Sequence, residues 1–187
     1  MDETSRLQES TLKGVWLHRP ENFVDSRGST SEILNLHQIA PLFGGLAISQ
    51  ILEASSSRGV IRGIHYTSPI NPQVKIVRCI QGEIKDIVID LRPDSSTFGN
   101  FQVFDLNSEV PSNLLISSGF GHAYQVLSNH ATVVYALQTN FKFSEEFSIN
   151  PLDADLALPW VEISPILSAR DETAPGYKET VLGLSSH

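Results

Sequence analysis

One cysteine in 187 residues, Cys79, leaves no partner for an intrachain disulfide and no thiolate set for a Cys-rich zinc site. Positive charge is scarce as well. Lys and Arg number 13 against 21 Asp and Glu, the formal net charge is -8, and the basic residues are scattered with no stripe among them. That balance argues against nucleic acid as a partner. No apolar run approaches the roughly 20 residues a membrane-spanning helix needs. The opening MDETSRLQESTLKGVW is polar and carries no apolar leader core. Repeats, low-complexity tracts, a Gly-x-Ser-x-Gly elbow and a Gly-rich phosphate loop are also missing. The expectation is a soluble, cytoplasmic protein with neither a nucleic-acid nor a membrane partner.

What the chain has is strand periodicity. With 41% hydrophobic residues it can bury a core of its own, and one domain over residues 1–187 is expected, residues 1–13 being a flexible extension. Alternating apolar residues predict strands near 46–51, 59–65, 74–80, 84–91, 100–106, 113–116, 122–127 and 132–137. Turn clusters such as TSPINP, RPDSSTFGN, SEVPSN and SSGFG separate them. Short helices are expected only near EILNLHQIAPLF and in the last third, and from Glu145 onwards the chain should wrap the sheets as loops and short helices. This is the pattern of an all-β antiparallel jelly roll with short peripheral helices.

Alternate residues of a strand share a face. In QVKIVRCI, Lys75 goes with Val77 and Cys79, while Ile76, Arg78 and Ile80 form the other face, and both faces are apolar enough to be covered. His65 goes with Ile61 and Gly63, leaving Arg62 opposite with Val60 and Ile64. His122 goes with Phe120 and Tyr124, and Tyr135 with Val133 and Leu137. Four strands thus aim His65, Lys75, His122 and Tyr135 at one interior. Taken singly, each is more often a packing or rim residue than a catalyst.

Interior histidines in a jelly roll suggest a metal site first. Yet the six histidines contain no His-x-His pair, and Lys75 would put a cation where the metal should be. A metal-free pocket is the expectation.

The runs RGVIRGIHY, QVKIVRCIQGEIKDIVIDLRPDSSTFGNF, SSGFGHAYQVLS and VVYALQTNF, with DSRG, NPLDADLALPW and LSARDETAP in the same order, resemble the dTDP-4-dehydrorhamnose 3,5-epimerase family. The likeness runs from about Val15 to Pro175. It implies a cupin-type jelly roll without metal or other cofactor and epimerisation of a dTDP-4-keto-6-deoxysugar at C3 and C5. It implies His65 as base with Asp171 as its partner, Lys75 beside the sugar ketone, Tyr135 as acid and His122 as a pocket histidine. Arg27, Glu32, Gln50 and Arg62 match positions that bind the nucleotide diphosphate. The resemblance further implies a homodimer with an exchanged N-terminal strand, so that Arg27 and Glu32 serve the neighbour's site. Departures from the family pattern fall at Thr30, Leu52, Asn140 and Phe141, and Asn140 bears on how the sugar is held. An epimerase acting on one centre only, a sugar ketoisomerase and a non-catalytic sugar-nucleotide-binding cupin are the competing readings.

Overall fold

The computed structural model describes residues 6–68, 72–140, 142, 145–161 and 164–184. Its strands are β1 (Leu7–Glu9), β2 (Val15–His18), β3 (Asn22–Asp25), β4 (Gly28–Ser31), β5 (Gln50–Ser57), β6 (Ile61–Thr67), β7 (Lys75–Gln81), β8 (Glu83–Asp90), β9 (Phe101–Asn107), β10 (Asn113–Ile116), β11 (Phe120–Val126), β12 (His130–Leu137) and β13 (Glu146–Ser148). Helices are short and peripheral: α1 (Leu36–Ile39), running into a 3-10 turn over Ala40–Phe43, then α2 (Ala169–Glu172) and α3 (Tyr177–Leu184). Two antiparallel sheets, β1-β2-β10-β7-β12-β5 and β13-β6-β11-β8-β9, make the jelly roll that the alternation predicts, and β3 with β4 forms a separate hairpin. No helix among the described residues is long and apolar enough to cross a membrane.

Between the sheets lies a core that includes Val77, Cys79, Ile84, Val88, Leu114, Tyr124 and Val133. Each sheet also has a covered outer face, which is why β7 and β8 carry apolar residues on both sides. Ile76, Leu115 and Ala136 are packed from outside by Trp16, Leu34, Ile39 and Phe43, with Trp16 and Phe43 meeting edge to face at 5.3 Å. On the other sheet, Ile64, Ile87, Ile89 and Ala123 are covered by Ile149, Leu156 and Leu158 from the tail. The wrapping tail expected after Glu145 is therefore present, with one short strand in it.

Three expectations need correction. Part of the flexible extension expected over residues 1–13 is ordered: β1 pairs with β2, and Leu12 is buried in the core. Residues 1–5 lie outside the described residues. The strand expected at 46–51 runs instead from Gln50 to Ser57, because β5 is a sheet edge, paired among the described residues only with β12, and its outward Glu53, Ser55 and Ser57 stay exposed. Arg62 is the third, and its cause is a bulge described with the site.

At the end of β8 the buried Asp90 accepts hydrogen bonds from Arg92 Nε (2.8 Å), Ser95 Oγ (2.6 Å) and Thr97 Oγ1 (2.6 Å), closing the turn into β9. Burial pushes this carboxyl up, but the donors outweigh burial and hold it at about 2. A depressed carboxyl contributes stability above its unfolded pKa, near 3.8, and loses that contribution as pH falls through the folded value. Urea unfolding should therefore weaken from pH 4 towards pH 2. Asp90→Asn should cost roughly 2 kcal/mol at pH 7 and flatten that part of the acid dependence. An unchanged acid profile in the variant would remove Asp90 as its cause.

Candidate active site

A cavity of about 690 Å³ opens between the sheets and is lined by His65, Lys75, His122, Tyr135 and Asp171 together with Leu52, Arg62, Gln73, Leu137, Glu146, Ile166 and Arg170. Its size suits a small-molecule ligand.

His65 and Arg62 reach this cavity together although they lie three apart on β6, where simple alternation would send them to opposite faces. The register explains it. His122 pairs with His65 and Tyr124 with Arg62, so Gly63 and Ile64 stand against Ala123 alone. This bulge turns Arg62 inward. Gly63 makes it possible: its φ is +108°, and a Cβ there would collide with the His122 carbonyl and approach the Ala123 Cα to 2.8 Å. Arg62 then lies at the mouth, its Nε donating to Ser56 Oγ at 2.9 Å.

Asp171 comes from the tail, 106 residues beyond His65. The Ser168 hydroxyl caps α2 by accepting from the Asp171 amide (3.1 Å) and donates to Asp171 Oδ2 (2.8 Å), which leaves Oδ1 aimed at His65 Nε2, 2.7 Å away. Burial pushes the Asp171 carboxyl up. The hydrogen bonds from His65 and Ser168 and the nearby charges outweigh it, so its pKa lies below the ordinary carboxylate value. An ionised Asp171 accepts, so Nε2 of His65 donates, and in the neutral ring the lone pair is then on Nδ1. Glu146 Oε2 stands 3.8 Å from that Nδ1 and is tied down by Arg170, which donates to Oε2 at 3.0 Å and to the Glu146 carbonyl at 2.7 Å.

A second His–Asp pair lies deeper. His122 Nε2 is 2.8 Å from Oδ2 of Asp86, a fully buried residue on β8. Lys75 sits 6.0 Å from the centre of the Tyr135 ring. Burial lowers the Lys75 pKa, while the Glu146 and Asp86 carboxylates pull it back up. Burial also raises the Tyr135 phenol well above 10. Among the described residues no group of three or more His, Cys, Asp or Glu could hold a metal ion.

Four expected site residues lie elsewhere. Arg27 is exposed in the β3–β4 turn and paired with Asp25, and Glu32 is exposed beside Asn35. Gln50, at the start of β5, and the exposed Asn140 do not line the cavity. Phe141 lies outside the described residues. Conversely, Asp86, Glu146, Ser168 and Arg170 escaped the sequence reading. Asp86 had a signal, a carboxylate sharing the inward face of EIKDIVID with Ile84 and Val88. Glu146 had none, because a three-residue strand leaves no period.

Fold and pocket together define a cupin-type jelly roll with a histidine–carboxylate pocket opening between its sheets. Residues 9–179 match the profile of the family described as dTDP-4-dehydrorhamnose 3,5-epimerase. A curated dTDP-4-dehydrorhamnose 3,5-epimerase of Streptomyces griseus is 32% identical over 175 residues, 92% of this chain and 87% of its own. A 4-keto-6-deoxy sugar epimerase from the novobiocin cluster of Streptomyces spheroides superposes with a TM-score of 0.91 at 33% identity, covering 96% of this chain and 91% of that one. A 3'-monoepimerase of Streptomyces bikiniensis, solved in complex with dTDP-quinovose, gives 0.89 at 35% identity, with 95% and 91% covered. The chain belongs to the dTDP-4-dehydrorhamnose 3,5-epimerase family.

Removing the glycine at the bulge tests how this pocket is built. Gly63→Ala should lower stability in urea by about 2 kcal/mol or more, since both the positive φ and the close approach oppose a Cβ. A variant as stable as the wild type would mean that β6 pairs with β11 without the bulge.

Proposed function

We propose that this chain epimerises a dTDP-4-keto-6-deoxyhexose through an enolate, with His65 as base and Tyr135 as acid. The observation that carries the reading is the His65–Asp171 pair at 2.7 Å on the same cavity as Lys75 and Tyr135. The hydrogens at C3 and C5 of such a sugar both lie next to the C4 carbonyl, so a base near neutrality can remove either. His65 takes the proton at Nδ1, and Asp171 holds the ring and stabilises the imidazolium that forms. Lys75, charged beside the C4 oxygen, stabilises the enolate in a cavity where water screens little. Tyr135 returns a proton to the opposite face, which inverts the carbon. A phenol held well above its ordinary pKa stays protonated and ready to donate.

Arg62 at the mouth holds the diphosphate, with His122 and Gln73 walling the sugar end. Arg27 and Glu32 serve a partner's cavity in a homodimer that exchanges the N-terminal strand. Supporting this role, the β3–β4 hairpin leaves Phe23 and Val24 62% and 73% exposed, a large apolar area for a monomer surface. We place Gln50 and Asn140 at the rim of the assembled site, and the whole chain acts as one epimerase domain in the cytoplasm.

Inversion at both C3 and C5 is the family reading. Inversion at C3 alone is a second reading, favoured by the 35% identity to the 3'-monoepimerase. Incubation with dTDP-4-keto-6-deoxyglucose in deuterated water separates them. Deuterium at C3 and C5 with the inverted product supports the first, and deuterium at C3 alone supports the second. His65→Ala should lose on the order of 10²–10⁴ in rate. Tyr135→Phe should still exchange hydrogen but lose inversion. A wild-type protein that binds the sugar nucleotide yet takes up no more label than His65→Ala would be a non-catalytic binder.

A further inference from the structure

Tyr124 is a buried phenol with no part in the scheme above. It projects inward from β11, is 1% exposed, and its hydroxyl has no hydrogen-bond partner among the described residues. Burying a hydroxyl without a partner is costly, and phenylalanine would fill nearly the same space without that cost. Tyr135, from the opposite sheet, packs against the cluster that contains Tyr124, and both rings lie against His122, with centroids 6.4 Å and 6.2 Å from it. The polar groups bearing on the Tyr124 hydroxyl are the Tyr135 and Ser56 hydroxyls, the Arg62 guanidinium and the Asp86 carboxylate. Ser56 Oγ already accepts from Arg62, and Asp86 Oδ2 already accepts from His122. Asp86 Oδ1 lacks a donor too, so it and the Tyr124 hydroxyl do not bond to each other.

Resting on the functional reading above, we infer that Tyr124 is a positioning residue for the acid step: its hydroxyl donates to the Tyr135 oxygen as that oxygen becomes a phenolate. The step balances. The Tyr135 O–H bond breaks, its proton forms the new C–H bond, and the negative charge of the enolate moves to the Tyr135 oxygen. Tyr124 keeps its proton throughout. After product leaves, His65 releases its proton to water and Tyr135 regains one from water. A donor whose hold strengthens as charge appears on its neighbour favours the transition state over the ground state.

Tyr124→Phe removes one oxygen and leaves the packing in place. The experiment follows hydrogen exchange and inversion separately in deuterated water with dTDP-4-keto-6-deoxyglucose, comparing wild type, Tyr124→Phe and Tyr135→Phe, with thermal midpoints as a folding control. In Tyr124→Phe, inversion should fall about tenfold, the weight of a hydrogen bond to a charged oxygen, while exchange stays within about twofold of wild type. Its midpoint should be no lower than that of the wild type. Exchange and inversion falling in proportion, or neither changing, would overturn the inference and leave the epimerase reading standing. No label in the wild type above His65→Ala would overturn the epimerase reading, and this inference with it.

Discussion

An ionised side chain between two apolar sheets persists only where a partner offsets the loss of water, and that constraint organises this protein. Both histidines that face the cavity are met by a carboxylate within 2.8 Å, His65 by Asp171 and His122 by Asp86. The first pair joins distant parts of the chain, so its geometry depends on the tail being held. That hold is apolar: Ile149, Leu156 and Leu158 seat on Ile87 and Ile89, outside the sheet whose inner face carries His122 and Asp86. Packing on one face of the sheet thereby sets the His65–Asp171 pair on the other.

The tail brings more than Asp171. Strand β13 pairs with β6 so that Glu146 opposes Thr67 and Ser148 opposes His65, and Arg170 then bridges back to Glu146. Ser168 fixes both the start of α2 and the orientation of the Asp171 carboxylate. A solvated loop carboxylate would give His65 no such direction. These contacts make the His65 environment a product of two segments, each too short to fold alone.

Alternation made much of the interior legible. Lys75, His122 and Tyr135 lie on regular stretches of β7, β11 and β12, where every second residue faces the cavity, and their faces follow from counting by two. Arg62 defeated that count. Gly63 and Ile64 oppose one residue of β11, and whether a strand bulges depends on its neighbour, which the local pattern does not contain. Strand β5 was misplaced for a related reason, since a serine-rich edge strand reads as a turn until its partner is known.

The sequence by itself determined the class of fold, the covered faces of the central strands and, through motifs in a constant order, the family. Those features are local, because side-chain period and short motifs are properties of consecutive residues. Tertiary structure alone decided that Arg62 turns inward, that Asp86 backs His122 and Glu146 joins the cavity, and that Arg27, Glu32, Gln50 and Asn140 stand away from it within one chain. Each of those depends on registers and contacts between distant segments, where burial and pairing of charge, rather than any local preference, choose the position.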